Sequence, residues 1–210
     1  VVGGLVRGLL RQRWQGDGQM FGSFYRHYLD EFITTVQALD VDTVGEIMKQ
    51  LESARQEGRQ VFIIGNGGSA ASSAHWACDF GKGINMGESN RLRVFSPTDN
   101  VAWSTALSND IAYAEVFTEQ LRNYLNPGDL VIGLSVSGDS ENVVRALAYG
   151  KERGAFTISI VGKGRGRMVE LSDISLVIPS GNYGIVEDMH MFIAHVVSQY
   201  MRELCVKEVE

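Results

Sequence analysis

Five short apolar runs recur along the chain: Val61–Ile64, Leu92–Phe95, Asp129–Leu134, Phe156–Val161 and Ile174–Ile178. Each is closed by a polar or glycine-containing turn. Runs this short and this uniformly apolar suit strands buried on both faces. Between them lie stretches of helical period: Phe21–Leu39, a second helix capped by Asp42 or Thr43 and stopped by Gly58, then about 70–81, 99–107, 113–125, a stretch from Glu141 to Arg153 closed by Gly154, and about 185–206. Strands alternating with helices require right-handed crossovers, which cover both faces of a parallel sheet. The expected class is therefore α/β, with a parallel sheet of about five strands and helices at the N-terminus.

Composition narrows the partners. Lys plus Arg number 19 against 25 Asp plus Glu, a net charge of −6, which disfavours nucleic acid or an anionic membrane surface as the partner. No apolar run approaches the ~20 residues that span a bilayer. Two cysteines, Cys78 and Cys205, are too few for a disulfide framework and fit a reducing, cytoplasmic setting. Residues 1–20 are expected to be a leader or appended remnant with little structure, because Arg7, Arg11 and Arg13 break any signal-like core; Met20 reads as a start, and 21–210 as a single domain with a helical N-terminal extension.

Ligands of such sheets bind at the carboxyl ends of the strands, and two polar turns stand there. Gly65-Asn66-Gly67-Gly68-Ser69 follows the first buried run. It lacks the lysine of a P-loop and the spacing of a dinucleotide fingerprint, which disfavours ATP and NAD. It keeps exposed backbone N–H groups at a helix start, where an anion is stabilised. The second turn, Ser135-Val136-Ser137-Gly138-Asp139-Ser140, carries three hydroxyls. Together they describe a neutral cup for the phosphate of a small molecule such as a sugar.

His75 and Asp79 are spaced i, i+4 on the helix after the first turn, so they share a face. On the last helix Glu187, Asp188, His190 and His195 stand in an apolar segment, where a histidine is more often core than ligand. Imidazoles and carboxylates from two helices are also a ligand set that zinc accepts. Glu187 and His195 are separated by roughly 12 Å of helix rise, so one ion reaching both needs bent helix ends or a second subunit.

The segments GNGGSAASSAHWACDF at 65–80, SNDIAYAEVF at 108–117, LVIGLSVSGDSENVVRAL at 130–147 and VEDMHMFIAH at 186–195 resemble the SIS-domain (sugar isomerase) proteins, and within them the sedoheptulose 7-phosphate, or phosphoheptose, isomerases. The resemblance runs from about Phe21 to Val206. It implies a three-layer αβα fold, commonly a homotetramer with sites built between subunits. It implies substrate contacts by Asn66, Gly67, Gly68 and Ser69, by Asn109 and Asp110, and by Ser135, Val136, Ser137 and Ser140, with Asp79 and Glu187 also at the substrate. It implies one zinc per subunit on His75, Asp79, Glu187 and His195, with Asp79 and His195 as the acid/base pair. The chain departs from the family in carrying Asp79 for Glu, Glu187 for Gln and Val136 for Thr. It also lacks an Asp before the last helix, near Asn182–Ile185, and an Arg near Lys82-Gly83.

The expected activity is aldose–ketose isomerisation of a phosphorylated seven-carbon or similar sugar through an enediol. That chemistry needs a base at the transferred proton, an acid for the oxygen and an electrophile for the enediolate. The competing expectation is a non-catalytic phosphosugar-binding protein, like the DnaA initiator-associating relative of the same family. The aromatic Phe21–Leu39 helix is expected at a subunit interface.

Overall fold

The computed structural model describes residues 2–85 and 90–209, with side chains described from 18 to 207 within those limits. The chain divides into two compact units, the first ending at Ala38 and the second being Leu39–Glu210. The boundary expected at residue 20 falls inside the first unit. Helix α1 runs without interruption over Val2–Gln37, so residues 2–20 are helical rather than poorly structured; no proline falls in this span to break the hydrogen-bond ladder.

In the second unit, α2 (Val41–Glu57) is capped by Asp40, whose carboxylate accepts from the backbone N–H groups of Asp42 and Thr43 at 3.1 and 3.2 Å. The cap thus lies two or three residues before the expected Asp42 or Thr43. Gly58 ends the helix in the left-handed region at φ 68°. The elements that follow are β1 (Gln60–Gly65), α3 (Gly68–Cys78), a π-helical turn at Asp79–Gly83, β2 (Arg93–Phe95), α4 (Val101–Asp110), a 3₁₀ turn at Tyr113–Glu115, α5 (Thr118–Tyr124) and β3 (Leu130–Ser135). The chain continues through α6 (Glu141–Glu152), β4 (Phe156–Val161), α7 (Gly166–Leu171), β5 (Ile174–Val177) and α8 (Tyr183–Val209).

The five strands form one sheet in the order β2-β1-β3-β4-β5, every pair parallel. Phe62, Ile64, Val131 and Val161 share one core with Leu121, Val143, Leu147 and Met168 of α5, α6 and α7. Gly133 faces the same way; a Cβ there would meet the Met168 and Val143 side chains at 2.7 and 2.9 Å, so glycine lets α6 and α7 sit close. The alternate strand residues, Ile63, Ile132, Ile158 and Ile160, are fully buried towards the opposite face, where α2, α3 and α8 pack on one another. The three-layer αβα expectation is met. Each full-sized core side chain removed to alanine, such as Phe62, is expected to cost about 3–5 kcal/mol.

The strand order fixes where a ligand goes. From β1 the chain first crosses to β2 on one side and later returns to β3 on the other, so the turns leaving β1 and β3 diverge and open a crevice.

Candidate functional site

Both predicted turns line that crevice. Residues 66–69 of the first, residues 134–137 and Ser140 of the second, and Tyr183 and Glu187 of α8 enclose a cavity of about 300 Å³. In the first turn Gly65 packs so tightly that a Cβ would lie 2.7 Å from the Ser69 carbonyl oxygen, and Gly67 takes φ 56°. Helix α3 starts at Gly68; the Ala70 and Ala71 N–H groups bond the Gly67 carbonyl at 3.1 Å, and Gly68 and Ser69, which line the cavity, stand at the positive end of the helix dipole. In the second turn Ser135 Oγ lies 3.4 Å from both Ser137 Oγ and Ser140 Oγ, and it accepts from the Gly138 N–H at 3.1 Å. Helix α6 begins one residue beyond Ser140. Two helix starts and three hydroxyls therefore converge on one space, and among the described residues no lysine or arginine lines it. Val136 lines it too, but its side chain offers no polar atom.

Asn66 is committed within the protein. Its Nδ2 donates to Asn142 Oδ1 at 2.8 Å, and its Oδ1 accepts from Asn142 Nδ2 at 2.9 Å and from the Tyr113 hydroxyl at 2.8 Å. Asn142 and Tyr113 were not picked out from the sequence. Tyr113 also lines, with Thr98 and Ser104, a smaller cavity of about 150 Å³ that meets the first at Asn66 and Gly67. Asn109 and Asp110, expected to contact the sugar, sit exposed at the end of α4, bonded to each other at 2.8 Å, and line neither cavity. Tyr183, the first residue of α8, is a cavity residue that the sequence reading passed over, although it stands in the segment flagged for a missing Asp.

The imidazole–carboxylate cluster is elsewhere. His75 Nε2 and His195 Nε2 lie 3.1 Å apart, and Asp79 Oδ2 is 3.4 Å from the first and 3.6 Å from the second. Asp79 reaches this position at the first residue of the π-helical turn that extends α3. The three ligand atoms all lie within 4.8 Å of one another. Two imidazole nitrogens and one carboxylate oxygen converging on a point are the donors of an open, three-ligand zinc site, so the residues fit a divalent ion. Glu187, the expected fourth ligand, is not in this cluster. Two turns of α8 carry it about 12 Å from His195, and its carboxylate rests on Gly68, where a Cβ would be 2.3 Å away.

Asp79 and His195 line a separate cavity of about 230 Å³ with Ser198, Gln199 and Arg202. The two polar turns thus meet as expected, while within one chain Asp79 and His195, the expected acid/base pair, open on different space. His190 is core: fully buried, it bonds the Ile160 carbonyl through Nε2 at 3.2 Å, while its own carbonyl accepts from Trp76 Nε1 at 2.9 Å. Burial holds its pKa down at about 4.

A SIS domain model matches residues 24–162. A probable phosphoheptose isomerase from Thermoplasma acidophilum is 31% identical over 178 residues, covering 85% of this chain and 97% of its own. The phosphoheptose isomerase of Aliarcobacter butzleri is 37% identical over 144 residues, 69% of this chain and 76% of its own. Among solved structures, a phosphoheptose isomerase from Neisseria gonorrhoeae superposes with a TM-score of 0.80 at 23% identity, over 87% of this chain and 99% of that one.

Proposed function

Because the chain belongs to the SIS-domain family, and within it to the phosphoheptose isomerases, we propose that it interconverts sedoheptulose 7-phosphate and an aldoheptose 7-phosphate. The observation that carries this reading is the cup in which the turns at 65–69 and 135–140 face one another. A phosphoryl group there accepts hydrogen bonds from the α3 and α6 N-terminal amides and from Ser135, Ser137 and Ser140. Neutral donors suit a phosphate monoester that must be released after each turnover.

The reaction moves a proton between neighbouring carbons. Asp79 takes the proton next to the carbonyl; its Oδ2 faces the two imidazoles, which leaves Oδ1 for the substrate. His195 moves protons between the sugar oxygens and assists ring opening. His75, Asp79 and His195 are the residues that would hold a divalent metal, zinc by its ligand types and one per subunit, and a bound ion supplies positive charge for an enediolate oxygen.

A homotetramer brings the two cavities together, with the acid/base cluster of one subunit completing the cup of another. Exposed apolar side chains support this. Helix α4 has no buried residue, α8 exposes Phe192, Val196 and Tyr200 along one stripe, and α1 exposes Phe21, Phe24, Tyr25 and Leu29. Among the described residues no helix is long and apolar enough to cross a membrane, and a cytoplasmic setting suits Cys78 and Cys205, which are not joined in a disulfide.

The separation of cup and cluster within one chain favours a second reading, a protein that holds a sugar phosphate without turning it over. Kinetics on a panel of five-, six- and seven-carbon sugar phosphates, with and without chelator, decide between them. Turnover of sedoheptulose 7-phosphate supports the isomerase; tight binding with no turnover of any sugar supports the binder.

A further inference from the structure

The turn that supplies the three hydroxyls carries two carboxylates, Asp139 and Glu141, on either side of Ser140 in the chain; neither lines the cavity itself, whose lining carboxylate is Glu187. Two carboxylates beside a phosphoryl dianion would oppose its binding unless compensated. Compensation comes from α7. The Arg167 Nε and backbone N–H both donate to Asp139 Oδ1, at 3.1 and 3.0 Å, and Nη2 donates to the Asp139 carbonyl at 3.0 Å. Its Nη1 reaches Glu141 Oε2 at 3.0 Å. Arg145 extends the row, with Nε on Glu141 Oε1 at 2.7 Å and Nη1 on the Glu115 carboxylate.

These ion pairs are about half exposed, and exposed pairs add little to stability. What they fix is position. The backbone beneath them is pressed together: a Cβ on Gly138 would lie 2.3 Å from the Arg165 carbonyl oxygen, and one on Gly166 would lie 2.3 Å from the Gly138 carbonyl carbon. Met168 N–H donates to the Gly138 carbonyl at 3.0 Å. Arg165, at φ 69°, is a non-glycine residue in the left-handed region, so the turn facing the serines is held in a costly shape. Arg167 also keeps the Asp139 carboxyl below its usual range, first through its backbone hydrogen bond and then through its side chain.

We propose that Arg167 is a positioning residue for the phosphoryl group, holding the 135–140 turn in its binding shape by gripping Asp139 and cancelling the charge that Asp139 and Glu141 place beside the cup. This rests on the cup being the phosphoryl site.

The test is calorimetric titration with inorganic phosphate together with steady-state kinetics, on wild type, Arg167→Ala, Asp139→Asn and the double variant. Arg167→Ala is expected to weaken phosphate binding and raise KM about tenfold while kcat stays within about twofold. Adding Asp139→Asn to it recovers part of the loss, because the uncompensated charge is gone. Asp139→Asn alone keeps an acceptor for Arg167 and tightens phosphate binding, a result that a purely structural role does not predict. It also serves as the test should Arg167→Ala fail to fold. Phosphate affinity and KM unchanged in Arg167→Ala, a loss confined to kcat, or Asp139→Asn binding phosphate no tighter than wild type would overturn the inference. A wild type that binds no phosphate would overturn the cup itself.

Discussion

Asn66 and Asn142 exchange two side-chain hydrogen bonds, at 2.8 and 2.9 Å, across the crevice between β1 and β3. One residue belongs to the turn leaving β1 and the other to the first turn of α6, so the pair sets the gap between the two turns, where the proposed phosphoryl site lies. The Asn66 side chain, expected among the substrate-binding residues, acts as a strut whose oxygen accepts from Asn142 and Tyr113.

Removing the strut should widen the cup without touching the His75–Asp79–His195 cluster. Asn142→Ala deletes its two hydrogen bonds to Asn66 and the one that its Oδ1 accepts from the Val143 N–H, each worth about 1 kcal/mol. The expected outcome in steady-state kinetics is a rise in KM for the sugar phosphate of about tenfold, with a smaller fall in kcat.

Glycines at the cup separate into two kinds. A methyl at Gly68 meets the carboxylate of Glu187, the movable end of a flexible side chain, whereas one at Gly138 meets the Arg165 backbone from a left-handed φ of 72°. Thermal melts should show Gly68→Ala close to wild type and Gly138→Ala destabilised by about 1–3 kcal/mol, with phosphate binding lost in the second.

Much of the architecture is legible in the residues and some of it is not. Runs such as Val61–Ile64 announce strands buried on both faces, and Gly58 announces the end of α2, because apolar patterning and left-handed φ are local properties. Helix α7 was missed because Gly166–Leu171 is too short to show a helical period. The continuation of α1 through residues 2–20 was missed because glycines and scattered arginines resemble a leader, although nothing there forbids a helix. At the site, the two turns could be read because each follows its own strand. The place of Glu187 could not be read from ligand chemistry alone; within one chain the helix rise keeps it apart from His75, Asp79 and His195. Nor does a sequence show that Asn66 is bonded to a residue 76 positions away.

That reading of Glu187 has a direct consequence for metal content. His75→Ala and His195→Ala each remove a converging nitrogen and should lose bound zinc by elemental analysis. Glu187→Gln should retain it at the wild-type ratio, since its carboxylate lies against Gly68 and outside the cluster.

Acid should weaken the fold through His190. Its pKa is about 4 when folded against an ordinary 6.5, so the neutral ring favours the folded state. The contribution is complete above pH 6.5 and is lost as pH falls towards 4, amounting to about 3 kcal/mol. Denaturant unfolding between pH 7.5 and 4 should show this slope in wild type and a shallower one in His190→Gln. Parallel slopes would remove His190 as the cause.

The account stands most directly on the turnover of sedoheptulose 7-phosphate by wild type, Asp79→Ala and His195→Ala, each checked for an unchanged circular dichroism spectrum. The predicted result is isomerisation by wild type and its abolition in both folded variants. Variants that isomerise the sugar at the wild-type rate, or a wild type that leaves it unchanged, would contradict the account.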